Sequence, residues 1–193
     1  MSLIELIDNT RTDKNTIHSY IDLYENLFSR LKQKATNVIE IGIGPHYHDN
    51  GGSIELWHKY FSNAIIYAVD IIDYNIVYDG IKNNDKIKLF TSCNAYQEQF
   101  VKENFIDKNI KFDMLLDDGP HTLDSMIKFI ELYSGLISDD GILIIEDVQD
   151  INWFNELVKS TPDELKQYIN IYDLRHNKYR YDDLVFVIDK SKK

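Results

Sequence analysis

Two segments of this chain end in clustered acids. Leu116-Asp117-Asp118-Gly119-Pro120-His121 and Ile145-Glu146-Asp147 each close an apolar run. Buried strands rarely finish on several carboxylates unless something cationic meets them, because an unpaired buried carboxylate is costly. If the two runs are neighbouring strands, Asp118, Glu146 and Asp147 converge as three hard oxygen donors. Such a set suits Mg²⁺, Mn²⁺ or Ca²⁺ and does not suit zinc. His121 lies one turn beyond Asp118, within reach of a group bound to the same ion. The competing reading has Asp118 or Pro120 starting a helix, His121 capping it and the other acids in water. Acids at both ends together favour the cation.

A second pair of features points to a nucleotide-like ligand. Glu40-Ile41-Gly42-Ile43-Gly44 follows a β-branched apolar run, and two glycines at such a turn let backbone approach a ligand with no Cβ between. The next apolar run ends at Asp70, where a carboxylate can accept two hydrogen bonds from a ribose diol. The nicotinamide fingerprint G-x-G-x-x-G fails, since Tyr47 stands at its third glycine. His46 and His48 have a spacing that could bind a metal, although such a pair more often lines a loop, here one (Pro45 to Asn50) that could help close the site.

The elements that must carry these residues follow from periodicity. Apolar positions from Ile17 to Leu31 predict an amphipathic helix over Asn15–Lys34. Strands are expected at Asn37–Ile43, Ala64–Ile72, Lys86–Ser92, Phe112–Leu116 and Gly141–Val148. Helices are expected at Ser53–Phe61, with Ser53 as N-cap, and at Ala95–Phe105, Thr122–Leu136 and Trp153–Tyr168. Trp57, Tyr60 and Phe61 read as core. Ile169–Leu174 and Leu184–Asp189 are closing strands joined by a polar segment too short for a crossover helix, so they should pair antiparallel. The predicted class is therefore α/β: a doubly wound, mostly parallel, seven-stranded Rossmann-like sheet with a C-terminal antiparallel hairpin. Ligands of such sheets bind at the carboxyl ends of the strands, where all the acids and glycines above fall. The aromatic and basic segment His176 to Tyr181 is expected to be an exposed turn.

Composition narrows the function further. The 193 residues, 44% hydrophobic and 12% aromatic, suit one domain (1–193), with an N-terminal helical segment at 1–35 and a catalytic core at 37–193. A net charge of -11 without any basic block repels phosphate backbones, so no nucleic-acid partner is expected. A single cysteine, Cys93, allows no internal disulfide framework and fits a reducing compartment. Glu5 and Asp8 interrupt the first apolar stretch, which does not read as a signal peptide, and no run approaches the roughly 20 apolar residues that span a bilayer. A cytoplasmic protein with no membrane partner is expected.

Four segments together resemble the metal-dependent sugar O-methyltransferases of macrolide biosynthesis, the macrocin and mycinamicin type, which are class I S-adenosylmethionine-dependent enzymes. They are Glu40 to Gly44 with Gly51-Gly52-Ser53-Ile54-Glu55-Leu56-Trp57, then Phe61 to Asp70, Phe112 to His121, and Gly141 to Asp147. The D-D-G-x-H and E-D pair is the distinctive part. The resemblance implies that Gly42, Gly44 and Ser53 lie around the methionine end of the cofactor, with Glu40 supporting the turn. It puts Asp70 on the ribose, Asn94 near the adenine and Asp117 on the cofactor side of the site. Asp118, Glu146 and Asp147 become ligands of Mg²⁺ (or Mn²⁺), and His121 the general base beside Asp118. The chain departs from the pattern at Pro120, where serine is usual, and at Asn94, where an acid is common. Some relatives carry an additional N-terminal domain that builds an oligomer, so both a monomer and a homo-oligomer stay open.

The expected chemistry is methylation of a sugar hydroxyl on a nucleotide sugar, glycoside or glycan. An alkyl hydroxyl is a poor nucleophile while it holds its proton; a metal that binds its oxygen lowers its pKa, and a nearby imidazole can take the proton. A catechol or phenolic acceptor obeys the same logic. A NAD-dependent Rossmann enzyme and a non-catalytic binding module are the other readings. Tyr47 and the clustered acids disfavour the first, and the joint presence of Asp118, His121, Glu146 and Asp147 disfavours the second.

Overall fold

The computed structural model describes residues 1–44 and 49–191. His46, Tyr47 and His48, with the readings attached to them, lie outside the described residues. The strands are β1 (Asn37–Ile41), β2 (Ile65–Val69), β3 (Ile87–Phe90), β4 (Phe112–Asp117), β5 (Ile137–Ile145), β6 (Ile169–Asp173) and β7 (Leu184–Asp189). Helices are α1 (Leu3–Leu6), α2 (Ile21–Phe28), α3 (Gly52–Tyr60), α4 (Asp79–Lys82), α5 (Glu98–Val101), α6 (Leu123–Tyr133), α7 (Trp153–Ser160) and α8 (Arg175–Lys178).

The strands form one sheet in the order β3-β2-β1-β4-β5-β7-β6. The first five run parallel, and β7 lies antiparallel between β5 and β6, as the short polar connection required. Alternate residues of each strand feed opposite faces. Val38, Ile66, Met114 and Ile144 pack under Tyr24, Phe28 and Trp57 on one side. Ile39, Val69, Leu115 and Ile145 pack under Phe105, Phe129 and Tyr133 on the other. Burial on both faces is why these strands read as continuous apolar runs. Trp57, Tyr60 and Phe61 are core, none more than 1% exposed.

Strand order reverses at β1, which pairs with both β2 and β4. A crevice opens at such a switch point outside the carboxyl ends of the strands. Register brings those ends level: Ile41 lies beside Val69 and Asp117, and Asp117 beside Ile145.

Two expectations need correction. The helix predicted over Asn15–Lys34 is confined to α2, while residues 9–20 form turns. There the Asp13 carbonyl accepts from the amides of Thr16, Ile17 and His18, which stops a helical ladder from propagating. Lys14, His18 and Tyr20 are thereby turned onto the sheet's acidic ends, and Ile17 is left 48% exposed. The N-cap of α3 is Gly51 at φ +72, not Ser53, which lies inside the helix. A smaller difference is α8, a single turn within the hairpin connection.

Candidate active site

The carboxyl ends of β2, β1 and β4 with residues 9–17 enclose a cavity of about 900 Å³. Gly42, Gly44, Ser53, Asp70, Asn94, Asp118, His121 and Asp147 all line it, as eight residues singled out from the sequence. Gly42 is at φ +105, and a Cβ there would lie 2.2 Å from the Asp118 carbonyl oxygen, so any side chain would push β1 and β4 apart. Only glycine allows this turn.

Asp70 closes the turn from the next strand. Its Oδ2 accepts from the Ile43 amide at 2.7 Å and its Oδ1 from the Ile72 amide at 3.2 Å. Asn94 is exposed at the cavity wall, and its side chain accepts from the Tyr96 amide at 2.9 Å. Glu40 faces the opposite way. It is fully buried and accepts from the Ser53 hydroxyl at 2.8 Å and from the Trp57 indole, so it fastens α3 beneath the turn. Burial pushes the Glu40 carboxyl up to about 7. Asp117 is likewise buried, and the Tyr96 hydroxyl donates to it at 2.5 Å.

Of the three acids expected to converge, Asp118 past β4 and Asp147 past β5 meet around His121, and Glu146 does not join them. His121 Nε2 lies 3.1 Å from Asp118 Oδ1 and 3.5 Å from Asp147 Oδ2. One ligand atom from each of these three lies within 4.8 Å of the others. His121 and Asp147 both hold left-handed backbone conformations, at φ +52 and +55, which turn their side chains back over the strand ends. Burial opposes a charged imidazole, but Asp118, with Asp147 and Asp117 behind it, outweighs that and holds His121 above its ordinary value. Burial likewise opposes charge on Asp118, yet Lys14 and His121 hold its carboxyl well below the usual range.

Glu146 stands apart from that triad. Its carboxylate is 1% exposed and turned inward, where it accepts from Lys14 and from the Tyr24 hydroxyl. Asp147 uses its other oxygen inward, accepting from the Tyr20 hydroxyl, with His18 Nδ1 at 3.3 Å and Asp183 behind His18 at 2.7 Å. Burial, added to the neighbouring acids, raises the Glu146 and Asp147 carboxyls. The donor set fits a hard divalent cation: carboxylates in excess of fixed cations, with one oxygen each of Asp118 and Asp147 facing the cavity.

The residues that the sequence reading missed are Lys14, His18, Tyr20 and Tyr24. Tyr20 and Tyr24 carry helical core spacing, and nothing local marks Lys14 or His18 as partners of acids more than a hundred positions away.

No family model matches the chain. It is 27% identical over 145 residues to 8-demethyl-8-alpha-L-rhamnosyl tetracenomycin-C 2'-O-methyltransferase of Streptomyces olivaceus, covering 74% of this chain and 36% of that protein. It is 24% identical over 154 residues to demethylmacrocin O-methyltransferase of Streptomyces fradiae, covering 78% of this chain and 37% of that protein. The chain therefore spans about a third of the length of the curated relatives it matches. Among solved structures, the MycE methyltransferase of the mycinamycin biosynthetic pathway, in complex with Mg and SAH, superposes with a TM-score of 0.74 at 22% identity. That match covers 98% of this chain and 54% of MycE. The chain has the class I methyltransferase fold and, over most of its length, is similar in sequence to O-methyltransferases of rhamnosyl tetracenomycin and macrocin.

Proposed function

We propose that the chain is an S-adenosylmethionine- and divalent-metal-dependent O-methyltransferase acting on a hydroxyl of a sugar. The convergence of Asp118, His121 and Asp147 in the wall of a cavity that the Gly42–Gly44 turn also lines carries this reading. The named O-methyltransferases among its relatives support it, as does the presence of Mg and SAH in the matching MycE structure.

Gly42, Gly44 and Ser53 would bound the methionine end of the cofactor, Asp70 the ribose and Asn94 the adenine, with Glu40 and Asp117 as supports. Asp118 and Asp147, with Glu146 shared with Lys14, would hold Mg²⁺ or Mn²⁺. When bound, the cofactor supplies an electrophilic methyl group and the metal acidifies and orients the acceptor hydroxyl. His121 would take the proton that the acceptor hydroxyl gives up on methylation. The carboxylates of Asp118 and Asp147 stabilise the imidazolium that results. Orientation of the acceptor in the cavity supplies much of the remaining acceleration. Residues 1–193 would act as one catalytic unit, in the cytoplasm, without a nucleic-acid or membrane partner. Among the described residues no helix is long and apolar enough to cross a membrane.

The test is transfer of labelled methyl from S-adenosylmethionine to rhamnosides and other glycosides, with EDTA and with Mg²⁺ or Mn²⁺ restored. Transfer that needs the ion supports the reading. Full-rate transfer by a chelated enzyme removes the metal from it. Binding of NAD with none of adenosylhomocysteine by calorimetry overturns the methyltransferase itself.

A further inference from the structure

Lys14 belongs to no motif, yet it sits among three carboxylates. Its ammonium lies 2.7 Å from Asp118 Oδ2, bonds Glu146 Oε1 and stands 3.5 Å from Glu40 Oε1. It is 1% exposed. A buried ammonium is costly unless its partners are charged and close, and these three carboxylates meet that condition. Asp13 and Thr16 on either side of it line the cavity, whereas Lys14 does not. The side chain therefore acts on the acids and not on a ligand in the cavity.

Its two nearest partners are two of the three residues proposed as metal ligands. A unit positive charge held against both of them must oppose a divalent ion that draws on the same carboxylates. Without the lysine, Glu40, Asp118 and Glu146 would face one another close to Asp147, with the imidazoles of His121 and His18 beside these acids. We infer that Lys14 is an internal counter-ion: it stands in for the divalent ion when the site is empty, and it limits how tightly the ion is held. The inference rests on the metal reading above. It also gives residues 9–17 a reason to be ordered, because the lysine anchors that segment to the sheet from the middle.

The test compares the wild type with Lys14→Met after EDTA treatment and desalting. Calorimetric titration with MnCl₂ and melting curves with and without Mn²⁺ provide the readouts. Removing a unit charge this close to the ligands should tighten Mn²⁺ binding by roughly tenfold or more. The metal-free variant should melt below the metal-free wild type, and Mn²⁺ should raise its melting temperature by more than it raises that of the wild type. Equal or weaker Mn²⁺ binding by Lys14→Met overturns the inference. Lys14→Met/Glu146→Gln removes one charge of each sign, and keeps the test decisive if the single variant does not fold in EDTA. The double variant should fold there and melt above Lys14→Met; melting no higher overturns the counter-ion role. If neither wild type nor Lys14→Met takes up Mn²⁺, the metal reading itself fails and this inference fails with it.

Discussion

His121 is held by two carboxylates and by a left-handed backbone, and these act differently. The carboxylates strengthen it as a base, while the backbone aims it. His121→Ala should leave cofactor and metal affinity nearly intact and lower the rate by roughly 10²–10⁴-fold, the usual contribution of a positioned base. Unchanged turnover at saturating substrate and metal would remove the base assignment, and lost metal binding would make His121 a ligand instead. Asp117 gives a second prediction, about stability. Burial pushes its carboxyl from 3.8 to about 7, so the folded state holds the proton more tightly than the unfolded chain. The stability contribution is complete below pH 3.8 and is lost as pH rises through about 7. Asp117→Asn keeps an acceptor for the Tyr96 hydroxyl and removes the titration. In EDTA, urea midpoints of the wild type should fall across that window relative to the variant, by on the order of a few kcal/mol in total. Parallel pH profiles would show that Asp117 does not carry the effect.

At the scale of elements, the parallel strands were legible because burial on both faces leaves a continuous apolar run, and their acidic ends were legible because such residues break that run. Residues 9–20 were not. Their apolar spacing matches a helix, but Lys14, His18 and Tyr20 reach carboxylates on β1, just past β4 and β5, and in the turn before β7, and pairing those long-range groups outweighs one segment's helical propensity. Asp70 was placed correctly at a strand end, while its bond to the Ile43 amide, which shapes the glycine turn, is visible only in three dimensions. Gly52 shows how closely the turned segment lies on α3: a Cβ there would stand 2.3 Å from the Arg11 carbonyl oxygen. Gly52→Ala should therefore cost about 1–3 kcal/mol by urea denaturation, despite alanine's better helix propensity. It should also speed limited proteolysis within residues 9–17. A more stable, equally resistant variant would mean that this segment can lift off α3 without cost.

At the scale of the whole molecule, charge separates the two kinds of sugar acceptor. The chain carries a net -11, and the cavity adds Asp13, Asp49, Asp70, Asp118 and Asp147 to its own walls. A nucleotide sugar brings a diphosphate into this field, whereas a neutral glycoside brings only hydroxyls. The field around clustered like charges repels an anionic substrate over about a Debye length, roughly 10 Å at 0.1 M salt, and added salt screens it. Bound Mg²⁺ offsets part of the local charge but leaves the surface acidic. On electrostatic grounds a neutral glycoside should therefore be the better acceptor, and the two classes should respond differently to salt. Raising NaCl from about 0.01 to 0.3 M at fixed Mg²⁺ should lower KM for a nucleotide sugar several-fold and leave KM for a rhamnoside nearly unchanged. The value of kcat should move little for either, since screening acts on encounter and binding. A nucleotide sugar whose KM is lowest at low salt would show that a local basic group receives the diphosphate. Arg11 is the first candidate for that group: it lines the cavity, where its guanidinium pairs with Glu55.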